Sequence, residues 1–288
     1  MPCSITMLLR LLLVLALVPL AACDSMMSDF DMLGKSFSPP TPQEAAGWAV
    51  DPSDPEAQRR GLVLLGTATF GGEPTYIELY RIYVSESRDP LVKAAAIESL
   101  CRFAQPTEAK LIALQLKDAA VPVRLAAARG LQRLHNREIV DQLWTRLLEE
   151  TEETDVRTEL AIALGQYPED SVVQALIAAL DQPELCVNLA ASQSLWLITG
   201  RDFGTDRTRW LEWYALQPVA GRFRAENAYT YPTYRRDFEL WDWMIFWDQP
   251  RFEVPGAPIG LAAAARPTYS EPATATAPIA APAANPAP

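Results

Sequence analysis

The residues best suited to chemistry in this chain of 288 residues are its single histidine and its four cysteines. A serine or cysteine nucleophile that uses histidine as its base would have to recruit His135. A metal centre needs several imidazole, thiolate or carboxylate ligands in fixed geometry, and one histidine does not supply them. We interpret His135 as a residue at the C-terminal end of a helix, where its ring would interact with terminal carbonyls. The sequence therefore predicts a protein that is not an enzyme and that holds no metal or cofactor.

The first 22 residues have the layout of an export signal, since an apolar run over residues 11–20 follows Arg10. This run is too short to span a bilayer, which takes about 20 apolar residues. The stretch LAAC at residues 20–23 ends the run and resembles the lipobox of bacterial lipoproteins. The resemblance implies a signal peptide over residues 1–22, acylation of Cys23 and a tether to a membrane, since two acyl chains give stable anchoring. The alternative is an ordinary signal peptide that is cleaved elsewhere, with Cys23 a bystander.

An exported lipoprotein of this kind would lie in the bacterial cell envelope. Asp24 follows the cysteine and resembles an inner-membrane retention signal of some enteric bacteria, a rule that differs among bacteria, so both membranes remain open. Removing residues 1–22 takes away one arginine and no acid, which changes the formal net charge from −11 to −12. A strongly acidic surface repels phosphate backbones, so we exclude nucleic acid as a partner.

Cys101 and Cys186 are the thiols that remain beyond the lipobox. The repeat alignment below places them in the second and fifth repeats, roughly 30 Å apart if each helical layer adds about 10 Å. A disulfide needs Cα atoms within about 7 Å. We therefore predict that both cysteines are buried as small apolar side chains.

Most of the chain is built from five similar segments, each with a basic or polar residue seven positions before a leucine. Successive leucines are 35, 31, 33 and 31 residues apart. Each segment contains two stretches in which apolar residues recur at helical spacing, which predicts a helical hairpin. A short and nearly constant period predicts an all-α fold, an α-solenoid of about five hairpins. The five pairs are Gln58 with Leu65, Lys93 with Leu100, Arg124 with Leu131, Arg157 with Leu164, and Asn188 with Leu195.

The stretches DPLVKAAAIESL, VPVRLAAARGL and TDVRTELAIALG carry a resemblance to the HEAT-repeat family, in particular to its short bacterial variety with phycobilisome-lyase-type repeats. The resemblance covers about residues 54–215. It implies that Lys93, Arg124 and Arg157, at the family's basic position, form a structural ladder with acidic residues of adjacent turns. Tetratricopeptide repeats have a similar period, but their signature residues are not in register here. Some HEAT-like enzymes bind two irons through repeated His-Glu pairs, which this chain lacks.

The order of segments predicts five parts. A linker follows the signal peptide over residues 23–51, and the solenoid occupies residues 52–216. An aromatic-rich extension follows over residues 217–255, and an Ala- and Pro-rich tail over residues 256–288 is predicted to be disordered because it buries too little surface to offset ordering.

The last repeat is predicted to end in a cap that shields the final layer of helices. Gly200 can close one helix in the left-handed conformation, and Asp206 can cap the next. Trp210 and Trp213 would give that second helix a broad aromatic face. The alternative is a binding motif at the same place.

The extension contains a dense aromatic cluster formed by Trp241, Trp243, Phe246 and Trp247. Apolar residues fall on every side of a helix drawn through this stretch, so we do not expect a solvated helix. The cluster could fold back on the solenoid, lie at a lipid surface where tryptophan is favoured, or contact a partner protein.

These observations favour a non-enzymatic, membrane-tethered scaffold that binds a protein or another envelope component on a surface lined by the second helices. One alternative is a lyase-like or chaperone-like activity on a protein substrate, which requires an exposed reactive thiol. Another is a structural spacer between the membrane and the cell wall. The candidate surface residues are Glu78, Arg81, Lys110, Arg137, Arg146 and Gln174.

Overall fold

The structure, a computed structural model, describes residues 40–218, 221–224, 228–233 and 253–261. Cys23 and the aromatic cluster at residues 241–247 lie outside these residues. The described residues form eleven α-helices, and none of these helices is long and apolar enough to cross a membrane. The helices are α1 (Pro42–Ala49), α2 (Pro55–Thr67), α3 (Pro74–Glu86), α4 (Pro90–Phe103), α5 (Ala109–Leu114), α6 (Val121–Leu131), α7 (Val140–Leu147), α8 (Thr154–Leu164), α9 (Asp170–Ala179), α10 (Leu185–Thr199) and α11 (Arg207–Leu216).

Helices α2 to α11 pair into five hairpins, which we number as units 1 to 5. The first helices of the units (α2, α4, α6, α8 and α10) pack against one another in chain order, and each contacts the second helix of its own or a neighbouring unit. The result is a stack of two layers with one continuous apolar core. The predicted fold class, an all-α solenoid of about five helical hairpins, is confirmed.

Close approach of the first helices depends on small side chains where they cross. Gly130 of α6 lies against Cys101 of α4, and a Cβ atom on this glycine would come within 2.4 Å of the Cys101 sulfur. Ser99 donates a buried hydrogen bond to the Leu62 carbonyl of the preceding unit at 2.9 Å. Ser194 does the same to the Ala161 carbonyl at 2.7 Å. These bonds fix the register of neighbouring units while leaving no buried hydroxyl at these sites without a partner.

By its internal contacts the chain divides into two compact parts, residues 1–44 and residues 45–288, and the second part contains all five hairpins. Of the first, residues 40–44 are described, and there the Thr41 amide donates to the Glu44 carboxylate at 2.8 Å. In the second, Ala45 and Ala49 of α1 are buried, and the Tyr83 hydroxyl donates to the Ala49 carbonyl at 2.7 Å. The linker predicted for residues 23–51 is therefore wrong for residues 42–49, because this short stretch gains a tertiary surface to pack on.

A segment that we call the C-terminal strap follows the turns between the paired helices, from unit 5 back toward unit 2. At unit 5, the Arg224 amide donates to the Ile198 carbonyl at 2.9 Å. At unit 4, the buried ring of Tyr229 lies against Gly165. The strap consists of residues 221–224, 228–233 and 253–261.

The strap continues past unit 3, where Arg133 holds it in two ways. The guanidinium lies over the Tyr231 ring, 4.6 Å from its centroid, and forms an ion pair with Glu253. Ile259 then pairs with the backbone of unit 3 as a single parallel bridge, its amide donating to the Arg133 carbonyl at 2.8 Å. The predicted disordered tail therefore begins too early, because residues 256–261 pack on the solenoid. The rest of the tail lies outside the described residues.

Candidate interaction surface

Each basic residue of the predicted ladder forms an ion pair with an acid in the loop that leads to the next unit. Lys93 lies 3.0 Å from Asp118, and Arg157 lies 2.7 Å from Glu184. Arg124 holds Glu152 through three hydrogen bonds of 2.9 to 3.0 Å. Each of the three ion pairs therefore ties the first helix of a unit to the loop that leads to the next unit.

The pair between Arg124 and Glu152 is the most buried of the three. The Glu152 carboxylate is fully enclosed, and a second guanidinium, from Arg146, also binds it. Burial alone would raise the pKa of Glu152, but hydrogen bonds from Arg124 and from the Glu153 amide outweigh burial and lower this pKa. Arg124 also donates to two backbone carbonyls, those of Asp118 and Ala119. The pair is therefore charged and fully coordinated, which makes it a rigid joint between units 3 and 4.

A second ladder, which the sequence interpretation missed, joins the second helices. In each rung, a base of one unit reaches the acid at the start of the second helix of the next unit. The rungs are Arg81 with Glu108, Lys110 with Glu138, and Arg137 with Glu169. The sequence does contain a signal for this second ladder. The acids at residues 73, 108, 138 and 169 are 35, 30 and 31 residues apart, which is close to the spacing of the leucines.

Glu73 is the corresponding acid of unit 1. It immediately precedes α3, is exposed, and forms no ion pair with any described residue. The first position of the second ladder is thus occupied by an acid that has no base within the described chain.

The six candidate surface residues all contact other side chains. Besides the three bases of the second ladder, Glu78 pairs with Arg81, Arg146 pairs with Glu149, and Gln174 donates to the Tyr214 hydroxyl at 2.7 Å. Their arrangement is that of a cross-linked polar surface, in which side-chain freedom is already restricted before any partner binds.

His135 has a different environment from the one we predicted. Its ring stacks on Tyr167 with centroids 4.8 Å apart, and Nδ1 lies 3.3 Å from the Gln166 side-chain oxygen. The interpretation of His135 as a ring bound to terminal carbonyls is therefore wrong, because His135 lies in the turn after α6 and its ring packs against residues of unit 4. Burial lowers the pKa of His135, which favours the neutral ring. Its backbone amide donates to the Ile259 carbonyl of the strap at 2.7 Å.

The two remaining thiols differ in accessibility. Cys101 is buried between first helices, and burial raises its pKa to about 12. Cys186 is exposed, so the prediction that it is buried is wrong. It lies on the first turn of α10, where the adjacent Val187 takes the core position. Among the described residues, no group of three or more His, Cys, Asp or Glu side chains is arranged to hold a metal ion.

We expect a thiol reagent to modify Cys186 in the folded protein and to leave Cys101 unmodified until denaturation. Modification of Cys101 should be slower by roughly 10³-fold, which corresponds to an opening that costs about 4 kcal/mol. Timed alkylation followed by peptide mass spectrometry measures each site separately. Equal rates at the two sites in native buffer would contradict the burial of Cys101.

An apolar groove, which we call the N-terminal groove, lies between α1 and α3. Its volume is about 650 Å³. Val50 is 55% exposed and Ile82 is 44% exposed, although both are large apolar residues. The lining residues are Ala46, Gly47, Val50, Thr75, Tyr76, Glu78, Leu79 and Ile82. Exposed apolar side chains that line a groove make this surface a candidate interaction site.

At the other end of the solenoid, the residues predicted to form a cap lie together. Gly200 ends α10 with φ of 74°, and the Asp206 side chain accepts from the Arg209 amide at 3.1 Å. Trp210 is fully buried, with its ring centroid 5.8 Å from that of Trp213. Outside this aromatic layer, however, two leucines of α11 are exposed, Leu211 at 44% and Leu216 at 84%.

Comparison with known proteins bears on the central units. A family model described as HEAT repeats matches residues 108–196. These units are similar to HEAT repeats. The match covers less than half of the chain and includes the joint between Arg124 and Glu152. HEAT-like repeats generally mediate contacts between proteins, and a scaffold of this type is the coarse functional class that the fold supports.

Three solved structures are similar to part of this chain at low sequence identity. Human deoxyhypusine hydroxylase in complex with glycerol is 24% identical, with 54% of this chain and 60% of that chain covered and a TM-score of 0.39. An engineered protein is 17% identical over 54% of this chain and 77% of that chain, with a TM-score of 0.41. A designed armadillo repeat protein is 16% identical over 62% and 94%, with a TM-score of 0.41. The chain thus spans about 60% of the hydroxylase. A comparison with curated proteins gives no match.

Proposed function

We propose that this protein is a non-enzymatic scaffold of the bacterial cell envelope, tethered to a membrane through Cys23, that binds a protein in its N-terminal groove. The observation that carries the proposal is the groove itself, in which Val50 and Ile82 remain exposed on a stack of helices. An apolar groove between two helices fits the apolar face of a third helix.

The ladders support this role because they make the groove part of a rigid body. Arg81 fixes α3 to the next unit through Glu108, and Tyr83 fixes it to α1. A groove that is already formed before binding loses little conformational entropy when it takes up a partner. The unit-to-unit ion pairs therefore contribute to binding without contacting the partner.

The tether is supported by sequence alone, through the lipobox-like LAAC stretch that follows the apolar run. Lipid attachment at Cys23 would hold the groove close to the membrane, because 18 residues separate this cysteine from the first residue of α1. Such a tether raises the local concentration of the scaffold around other membrane-bound proteins.

Photo-crosslinking in intact membranes tests the proposal. A photoreactive residue at Val50 is expected to give a discrete protein adduct, and the additional change Ile82→Glu should remove it. The matched control is the same residue at Leu91 of α4, which is 51% exposed and does not line the groove. The change Cys23→Ser should reduce the Val50 adduct by about tenfold or more, as expected when tethering is lost.

Each part of the proposal has its own contradicting result. Equal adducts at Val50 and Leu91 would show that the groove is not a specific site. Adducts with lipid only would overturn the protein-binding role. An undiminished adduct in the Cys23→Ser variant, together with release of the protein from membranes, would show that binding does not need the tether.

A further inference from the structure

Both ends of the solenoid expose large apolar side chains, which is unusual for a repeat protein. The terminal units of a solenoid normally present a polar outer face, since they have no neighbour to cover them. Here the first unit and α1 form the apolar N-terminal groove, with Val50 and Ile82 exposed. At the opposite end, α11 exposes Leu211 and Leu216. Each end therefore has an apolar surface that a second molecule could cover.

The charges at the two ends are complementary in the pattern of the second ladder. In each rung of that ladder, one unit supplies the base, and the next unit along the chain supplies the acid at the start of its second helix. Glu73 is this acid in unit 1 and has no base among the described residues. Arg207 begins the second helix of unit 5, is about half exposed, and among the described residues pairs with Asp181 alone, at 3.9 Å. Within the described chain, one end thus offers an acid without an ion pair, and the other offers a weakly paired base.

We propose that copies of this chain associate head to tail, with α11 of one copy lying in the N-terminal groove of the next. Leu211, which lies one turn after Arg207 on the same face of α11, covers the apolar lining of the groove, and Arg207 faces Glu73, so that the second ladder continues from one copy into the next. This inference deepens the proposed function, since it depends on the groove being a protein-docking site and names a second copy as its occupant.

A head-to-tail contact joins two different surfaces, so an open assembly retains one free groove at one end and one free α11 at the other. Such contacts close into rings or continue as open filaments, depending on the rotation between copies. A contact between two identical surfaces would instead stop at the dimer. The size distribution and the behaviour of mixed variants therefore distinguish the two arrangements.

Sedimentation velocity of the full chain in mild detergent, at roughly 1 to 100 μM, covers the range of moderate protein affinities. The wild type is expected to form species larger than a dimer as the concentration rises. Ile82→Glu blocks the groove and Leu211→Glu blocks α11, and each change alone should weaken association at least tenfold. The matched control is Leu114→Glu on α5, since Leu114 is 58% exposed and lies at neither end. This control should associate like the wild type.

Mixing the two blocked variants gives the sharpest result. The Ile82→Glu copy retains a working α11, and the Leu211→Glu copy retains a working groove, so the mixture should recover association but stop at a heterodimer. The charge reversals Glu73→Arg and Arg207→Glu should each weaken assembly, and in a mixture of these two variants every contact between unlike copies again pairs opposite charges, so assembly should extend beyond the heterodimer. Circular dichroism of each variant verifies that the exposed substitution leaves the helices intact.

A wild type that stays monomeric throughout this range overturns the inference, and so does a mixture that recovers no association. These outcomes are separable from failure of the proposed function. If the protein is monomeric but a residue at Val50 still crosslinks to a different protein, the groove is a docking site and the second copy is not its occupant. If there is neither self-association nor a protein adduct at Val50, both proposals fail.

Discussion

Replacing Arg124 with methionine is expected to lower the free energy of unfolding by about 3 kcal/mol, near the lower end of what breaking a buried ion pair costs. The change leaves the enclosed Glu152 carboxylate without three of its hydrogen bonds and leaves the Asp118 and Ala119 carbonyls without their donor. Arg146 still binds Glu152, which keeps the loss from being larger. Urea unfolding followed by circular dichroism measures the loss, and an unchanged denaturant slope would show that unfolding is still cooperative.

Two comparisons decide whether the buried geometry is the cause. Arg137→Met breaks a highly exposed pair with Glu169, and should change the free energy of unfolding by less than about 1 kcal/mol. Adding Glu152→Leu to the Arg124→Met variant should recover much of the loss, because the buried carboxylate that has lost its hydrogen bonds from Arg124 is then gone. An Arg124→Met variant as stable as the wild type would show that the joint contributes little.

This joint also shows how far the sequence could predict the ladder. The positions of Lys93, Arg124 and Arg157 follow from the repeat, since they occupy the same place in the first helix of successive units. Their partners do not follow, because the acids lie in loops of differing length and stand 25, 28 and 27 residues further along the chain. The repeat period predicts where the basic residues lie on successive first helices, whereas the conformation of each loop determines which acid reaches each base.

The N-terminal groove was missed for a related reason. Helix α1 has eight residues, and an isolated helix of that length is not stable in water. Its stability comes from packing Ala45 and Ala49 on unit 1, a long-range contact that a local pattern does not reveal. Because one wall of the groove is α1, the candidate site could not be found until the helix was placed.

Errors at single residues have the same origin. Cys186 stands one position before the core residue Val187, so a one-residue shift on the helix surface turns a buried side chain into an exposed one. The repeat pattern also did not predict the strap, since Ile259 pairs with Leu134, which lies more than a hundred residues earlier in the chain. Sequence reasoning was sufficient where the repeat sets the structure and insufficient where a unique contact does.

Substituting Gly61 with alanine is expected to detach α1 and to remove the N-terminal groove while the five hairpins stay folded. A Cβ atom at this position would lie 2.4 Å from the Ala49 amide nitrogen and 2.6 Å from the Ala45 carbonyl oxygen. Both atoms are backbone, so no side-chain rotation relieves the clash and α1 itself must move. We expect a cost of about 1–3 kcal/mol, typical of overpacking, offset in part by about 0.5–1 kcal/mol from the better helix propensity of alanine in α2.

Hydrogen exchange resolves this local effect. Amides of α1 should exchange much faster in Gly61→Ala, whereas those of α6 and α8 should match the wild type, since units of a solenoid contact only their neighbours. Gly47→Ala is the matched control, because nothing lies within 4 Å of a Cβ atom there and alanine favours the helix. Protected α1 amides in Gly61→Ala would show that α1 does not pack as described. Loss of α1 protection together with loss of the Val50 adduct would instead establish that one helix crossing, at Gly61, creates the surface on which the proposed function depends.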